Sequence, residues 1–445
     1  MVFGLEKLFG KKSAEPTAPP PAAAEVSAEA TRSVSAFLRR DAVFDRDHKL
    51  AGHLIRLQHF DEGLGNAATK RQRSIDDALL NSLCVCADSE GWGKQLVFIP
   101  LSSASLGAPA LDSLPTTNTV ILLYLAPETE DIADLADRLA ALTKTGLRFG
   151  LFRQPKHPAF STALLFADFA AIDVADSQGI NIRDFSVALR SEEIRHDVTL
   201  LAANIESHDD FRLCHQCRFD YFHGPFAALA DKPEEPRGDP HKLHLLHLFN
   251  LVQSDADTAK VANALKQDPL LTFRIMRYLN SAAVGLSRPL DSIDQALVML
   301  GRQRLARWLS VLLFSVRDPD FTDWLLVESA LARGRIMELL GAECFPAAEA
   351  DHLFITGVFS RLDRLLRMPL IEAIDQIPLP DNVRAALLEE SGPYAPLLAV
   401  AAASDSGQGA ELAATTAATG LDPDKVNRAL INATTWANDI TDHWE

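Results

Sequence analysis

Three clusters of residues in this chain have the types and spacing to do chemistry. Cys214 and Cys217 bracket His215 and Gln216 in a CxxC spacing, but a zinc site needs two further ligands and no second CxxC exists. A partly buried pair of thiols is the plainer reading. His241, His244 and His247 recur every third residue, so neighbouring members can share a helix face and ligate a metal. The same drift carries the third imidazole round the helix and spoils a three-ligand site. Arg302, Arg304 and Arg307, with Trp308, make a basic, aromatic-bearing stretch suited to an anion or a partner, because guanidinium groups pair bidentately with phosphate. Its plainer reading is a solvated or salt-bridged helix face. No P-loop, GxSxG, HExxH or GxGxxG pattern is present.

These residues sit in a chain of 445, long enough for two or three domains. Asp and Glu number 60 against 43 Lys and Arg, a formal charge of −17 that repels phosphate backbones and argues against a nucleic-acid partner. With 47% hydrophobic residues the chain can build sizeable cores. No stretch approaches the roughly 18–20 apolar residues of a membrane span, and the first residues lack a secretory h-region, so the cytoplasm is expected. Five cysteines, an odd number, do not make a disulfide framework.

The elements that must position these residues fall into two halves. A short amphipathic start and a Pro- and Ala-rich stretch make residues 1–32 a disordered tether. Over 33–230 short apolar runs alternate with helical periods. Strands are expected at 42–44, 96–101, 120–125, 148–152 and 170–174, and helices at 75–86, 130–145 and 191–207. Alternation of this kind gives an α/β domain with a mainly parallel sheet, open or closed into a barrel. Residues 231–240, with three prolines and six charges, read as a linker. From 241 to 445 the pattern is all-α, with helices at 243–252, 258–267, 271–282, 292–300, 303–314 and 323–340.

Residues 268–314 resemble the HDOD domain, an all-α signalling module related to the HD metal-dependent phosphohydrolases. Asp268-Pro269 opens a helix, Leu279-Asn280-Ser281-Ala282 closes it, Ser292-Ile293 precedes Ala296-Leu297, and Leu300-Gly301 precedes the arginine-rich helix. The resemblance runs on through FITGVFSRLDRLL at 354–366 and covers roughly 240–440. It implies that the His-Asp pair of the catalytic HD enzymes falls on Ser360 and Arg361, and an earlier ligand His on Glu328. An arginine where a cation should sit is hostile to metal binding.

The first half is similar, more weakly, to the EAL domain of cyclic-di-GMP phosphodiesterases. VFDRDHKLAGHLIRL at 43–57, DFAAIDV at 168–174 and RFDYFHGPF at 218–226 carry the likeness. It implies a TIM-like barrel with ligands at the C-terminal strand ends. It also implies that the family's metal and catalytic positions fall on Leu54, Pro100, about Leu123, Phe152, Arg153 and Ala171. Asp173 and Glu206 still match acidic positions, and His223 replaces a Gln. Two carboxylates fall short of a two-metal site, and Leu54, Leu123 and Phe152 are expected to fill the space the ligands left.

The resulting expectation is a degenerate EAL-like barrel joined to an all-α HDOD domain. It is expected to be a bacterial signalling protein without enzymatic activity, with no metal or cofactor, acting as a scaffold for other signalling proteins and able to pair as a homodimer. Two alternatives accompany it: a sensor that binds cyclic di-GMP or another nucleotide, with Arg153 near the pocket to serve an anion, and a metal-dependent phosphohydrolase built on the histidine series.

Overall fold

The structure, a computed structural model, describes residues 37–58, 69–86, 92–127, 131–190, 198–228, 240–254, 257–267, 271, 293–313, 321–375, 377–406 and 409–441. The tether at 1–32, most of the linker and residues 272–282 of the expected helix at 271–282 lie outside them.

Eight strands close into a barrel in chain order. They are β1 (Leu38–Asp45), β2 (Leu50–Leu57), β3 (Leu96–Ser102), β4 (Thr119–Tyr124), β5 (Arg148–Phe152), β6 (Phe169–Asp173), β7 (Thr199–Ala203) and β8 (Tyr221–His223). Neighbours from β2 to β8 pair parallel, and β1 runs antiparallel to both β2 and β8. Because β1 is reversed, its first residues lie beside the C-terminal ends of the other seven. Asp41 pairs with Leu54, Arg39 with Arg56, and Val43 with His223. Helices α1 (Thr69–Cys86), α2 (Ile132–Lys144), α3 (Phe160–Leu164), α4 (Gly179–Leu189) and α5 (His208–Gln216) lie in the connections after β2, β4, β5, β6 and β7.

The period of two in a strand sorts side chains between lumen and outer layer. Val43, Leu54, Phe98, Val120, Leu122, Phe152, Phe169, Ala171, Leu201 and Ala203 form one lumen cluster, while Ile121 and Leu123 join the outer one. The expectation for Leu123 is corrected by this alternation, since the lumen positions of β4 are Leu122 and, beside the same cluster, Tyr124. The helix expected at 191–207 is corrected too: within it lies β7, whose TLLAA run is nearly all buried. A short apolar run flanked by buried neighbours has no polar face to reveal its period.

Twelve helices are described from residue 240 onward. They are α6 (Pro240–Gln253), α7 (Thr258–Lys266), α8 (Ile293–Leu300), α9 (Arg302–Leu313), α10 (Phe321–Gly341), α11 (Ala350–Phe359), α12 (Leu362–Leu366), α13 (Leu370–Ile374), α14 (Asp381–Leu388), α15 (Ala395–Ser406), α16 (Gly409–Thr419) and α17 (Pro423–Thr441). The long α10 is central, packed on α11, α15 and α17. Where α10 meets α11 the backbones nearly touch: a Cβ on Gly357 would stand 2.6 Å from the carbonyl carbon and oxygen of Arg333. Among the described residues, no helix is long and apolar enough to cross a membrane.

The tight β1–β2 connection at 46–49 contains no helix to cover the hairpin, so its outer face is buried in part by another region. The helical half supplies the cover. Phe321, at the start of α10, inserts among Phe44, Phe211 and Phe226 with ring centroids 4.9, 5.1 and 5.2 Å away. From α17, Asn427 Oδ1 accepts the buried Leu38 N–H at 2.9 Å. Glu328 of α10 accepts hydrogen bonds from Arg40 of β1 and, at 2.6 Å, from His53 Nε2 of β2.

Candidate functional site at the barrel mouth and the relic site in the helices

Side chains from β1, β2, β6, β7 and β8 converge at the C-terminal ends of the barrel strands. Asp41 accepts from Arg39 Nε and Arg56 Nε, both at 2.9 Å. Burial would raise the Asp41 pKa, but His223, Arg56 and Arg39 outweigh it and hold the carboxyl well below the usual range. His223 is 2% exposed. Its Nδ1 accepts the Asn204 backbone N–H at 3.2 Å, which places a ring proton on Nε2. That Nε2 lies 3.8 Å from Asp41 Oδ2, past hydrogen-bond reach, and is buried without an acceptor among the described residues.

Asp173, at the end of β6, accepts from Asn204 Nδ2 at 2.7 Å. Asn204 holds this position with a left-handed backbone, φ 55°. Beside it Tyr124 stacks on Phe152, centroids 3.9 Å apart. Burial, with Asp173 and Asp176 nearby, pushes the Tyr124 hydroxyl well above its ordinary pKa, so it remains a neutral donor. Gly224 follows β8 with φ 147°, and a Cβ there would stand 2.3 Å from the Ile205 carbonyl oxygen. Only glycine lets the β8 turn approach the β7 end so closely.

The structure brings Asp173 and His223 to this mouth and places Leu54, Phe152 and Ala171 in the lumen cluster below it. Pro100 is buried on β3 beside Leu122. Arg153 follows β5 half-buried, its N–H bonded to the Ala171 carbonyl. Glu206 is exposed, beyond the end of β7. Sequence reasoning missed Arg39, Asp41, Arg56, Tyr124 and Asn204. The reversed strand hid Arg39 and Asp41, whereas Arg56 is the next-to-last residue of the very segment that resembles the opening motif. Two divalent ions, implied by the EAL likeness, do not fit this donor set. Both Asp41 oxygens accept guanidinium N–H groups, Asp173 is bonded to Asn204, and apolar side chains occupy the lumen positions.

In the helical half, Ser360 and Arg361 meet Arg333, Ser329 and Asp405. Arg333 Nε lies 2.8 Å and Arg361 Nη2 3.6 Å from Asp405 Oδ2. Arg333 Nη1 donates to Ser360 Oγ at 3.2 Å, and Arg361 Nε to Ser329 Oγ at 3.0 Å. Glu328 is not part of this group, because it faces the barrel. Of the arginine run, Arg307 is 3% exposed and forks onto Glu338 with both bonds at 2.8 Å, Asp351 accepting at 3.2 Å. It holds the core together rather than meeting a partner, a correction that follows from its inward position on α9. Arg302 is half-buried and Arg304 exposed. His244 is half-buried and His247 exposed, while the His241 side chain lies outside the described residues. Cys214 is buried and Cys217 half-buried; burial, then Cys217 and Asp210, pushes the Cys214 thiol up to about 12, which makes it inert as a nucleophile. Among the described residues no three His, Cys, Asp or Glu side chains group as metal ligands.

Comparison with known proteins places these sites in context. Residues 244–373 match the model of the HDOD domain. The cyclic di-GMP phosphodiesterase CdgJ of Vibrio cholerae is 25% identical over 332 residues, 74% of this chain and 75% of that protein. The uncharacterized protein YuxH of Bacillus subtilis is 22% identical, over 81% of this chain and 88% of its own length. Among solved structures, Klebsiella pneumoniae BlrP1 in its calcium and cyclic-di-GMP complex is 15% identical with a TM-score of 0.34, over 44% of this chain and 56% of that one. The Bacillus subtilis YkuI protein with an EAL domain, in complex with cyclic di-GMP and calcium, is 15% identical with a TM-score of 0.35, over 61% and 73%. The name of CdgJ overturns the expectation that a chain of this kind is no enzyme. The chain thus carries a match to the HDOD domain over residues 244–373 of its helical half, which an eight-stranded barrel precedes, and across 74% of its length it is similar to a protein named a cyclic di-GMP phosphodiesterase.

Proposed function

We propose that this protein is a cytoplasmic regulator in cyclic-di-GMP signalling, and that its barrel and helical domain act as one scaffold for other signalling proteins. The proposed units are 33–230 and 241–445, with 231–240 as the connection. The observation that carries the reading is the buried bridge of Arg40, Glu328 and His53. It fixes α10 on the β1–β2 hairpin, so a ligand or partner that shifts the barrel mouth strains the helices, and the reverse. Affinity capture from the source cells tests this with the wild type and Glu328→Gln. The wild type is expected to recover a signalling partner and the variant at least tenfold less. Equal recovery by both, or no partner for the wild type, sinks the reading.

Hydrolysis of cyclic di-GMP is the second reading, favoured by the name of CdgJ and by the placement of Asp173, Asn204 and His223 around the barrel mouth. In that case the His223 Nε2–H is aimed inward as a donor to a phosphate oxygen, and Arg56 binds and orients the anion. Turnover that Asp173→Asn abolishes would establish it, and turnover indifferent to Asp173 would remove the site assignment.

A further inference from the structure

Two guanidinium groups share one carboxylate where the helical half would have kept a metal. Arg333 and Arg361 both face Asp405, whose Oδ2 also accepts from Ser329 Oγ at 2.5 Å. Asp405 therefore balances one positive charge and leaves the other. Among the described residues the wider surroundings do not restore neutrality, because Arg364 offsets Asp363 beside the same group. Burial and the neighbouring Arg333 make the cationic form of Arg361 harder to hold, the signature of a cation short of counter-charge.

The hydrogen-bond inventory points the same way. Arg361 spends Nε on Ser329, and among the described residues its Nη1 and Nη2 groups donate no hydrogen bond. Arg333 spends Nε on Asp405 and Nη1 on Ser360. Both hydroxyls are committed as donors, Ser329 to Asp405 and Ser360 to the Gly357 carbonyl at 2.7 Å. The most exposed donors left to an incoming group are thus those of the terminal fork of Arg361, 29% exposed, against a floor formed by Arg333 at 9%. The floor is rigid, since the close approach of Gly357 and Gly334 locks α10 against α11. A preorganised fork with surplus charge is the arrangement that binds a tetrahedral oxyanion.

We propose that Arg361, backed by Arg333 and Asp405 at the junction of α10, α11 and α15, is a binding site for a phosphate group. The proposal is independent of the scaffold reading and of any activity at the barrel. The free ion and a phosphate borne on a nucleoside share this chemistry, so the test uses both inorganic phosphate and adenosine 5′-monophosphate. They are titrated into the full chain at constant ionic strength, with calorimetry and thermal shift as readouts. Saturable binding of at least one probe is expected. Arg361→Gln should weaken it at least tenfold, while Arg212→Gln, at an exposed position of α5, leaves it unchanged. Tighter binding of inorganic phosphate names the free ion as the source, and tighter binding of the nucleotide names a nucleotide. If Arg361→Gln fails to fold, Arg361→Lys keeps the charge but not the fork and should bind about tenfold more weakly. Absence of saturable binding by both probes overturns the proposal, as does undiminished binding in the folded Arg361 variant.

Discussion

Glu328 shows how far a single side chain can be read from its surroundings. It is buried between Arg40 and His53, and although burial raises a carboxyl pKa, Arg40 and His53 bring this one from 4.5 down to about 2. A carboxyl with a depressed folded pKa adds stability that is fully present above its unfolded value and is lost as pH falls towards the folded one. The window here runs from about 4.5 down to about 2. At about 1.4 kcal/mol per pH unit, the bridge is worth on the order of 3 kcal/mol at neutral pH. Glu328→Gln leaves Arg40 and His53 buried without their counter-charge and should cost about 3–5 kcal/mol at pH 7. Urea titrations at pH 7 and pH 3 check both statements, because the difference between wild type and variant should shrink at the lower pH. A difference that stays constant would mean that Glu328 does not titrate with folding. Sequence alone suggested that Glu328 had replaced a metal-binding histidine. No local signal tied it to Arg40 and His53, 288 and 275 residues away.

At the scale of elements, the sequence was most legible where an amphipathic period or a flanked apolar run was long enough to count. β5 was placed to the residue, and α9 and α10 to within two residues. β2 was legible only through the likeness of residues 43–57 to a strand-turn-strand opening, and β8 and the helices α3 to α5 were missed. β8 has three residues and α3 five, too few to display a period, and β2 carries polar residues on both faces, His53 where its outer face meets the helical half and Arg56 where its inner face ends at the barrel mouth. The α10–α11 crossing was equally silent, since glycines at 334, 341 and 357 read as weak helix positions until the backbones are seen to touch. Their contacts differ in kind. A Cβ at 357 would strike the Arg333 backbone at 2.6 Å, whereas one at 341 would meet the flexible tip of Leu353 at 2.4 Å. Backbone cannot rotate away and a leucine methyl can, so Gly357→Ala should lose about 2–3 kcal/mol and Gly341→Ala clearly less. Chemical denaturation of the two variants side by side decides it, and an equal or reversed order would show that the crossing is softer than its geometry.

For the whole molecule, the question is whether two domains behave as one. A single apolar cluster runs from Phe37, Leu79 and Leu83 of the barrel side to Leu430, Trp436 and Ile440 of α17, and a second one takes Phe321 into the barrel's outer layer. Burial of this kind contributes in proportion to area and does not respect a domain boundary. The β1–β2 hairpin has no helix of its own, so separating the halves would expose its outer face and strand the buried Glu328. The intact chain should therefore lose β1, β2, α10 and α17 together. Hydrogen exchange followed segment by segment through a urea series is the measurement, and earlier loss of β1 and β2 in the wild type would refute the coupling. Phe321→Ala should cost about 3–5 kcal/mol by leaving a cavity among Phe44, Phe211 and Phe226. More tellingly, it should part the transitions, with β1 and β2 opening before the helices. A variant destabilised inside the helical half without touching the barrel, such as Gly357→Ala, should leave the transitions joined, which separates lost coupling from lost stability.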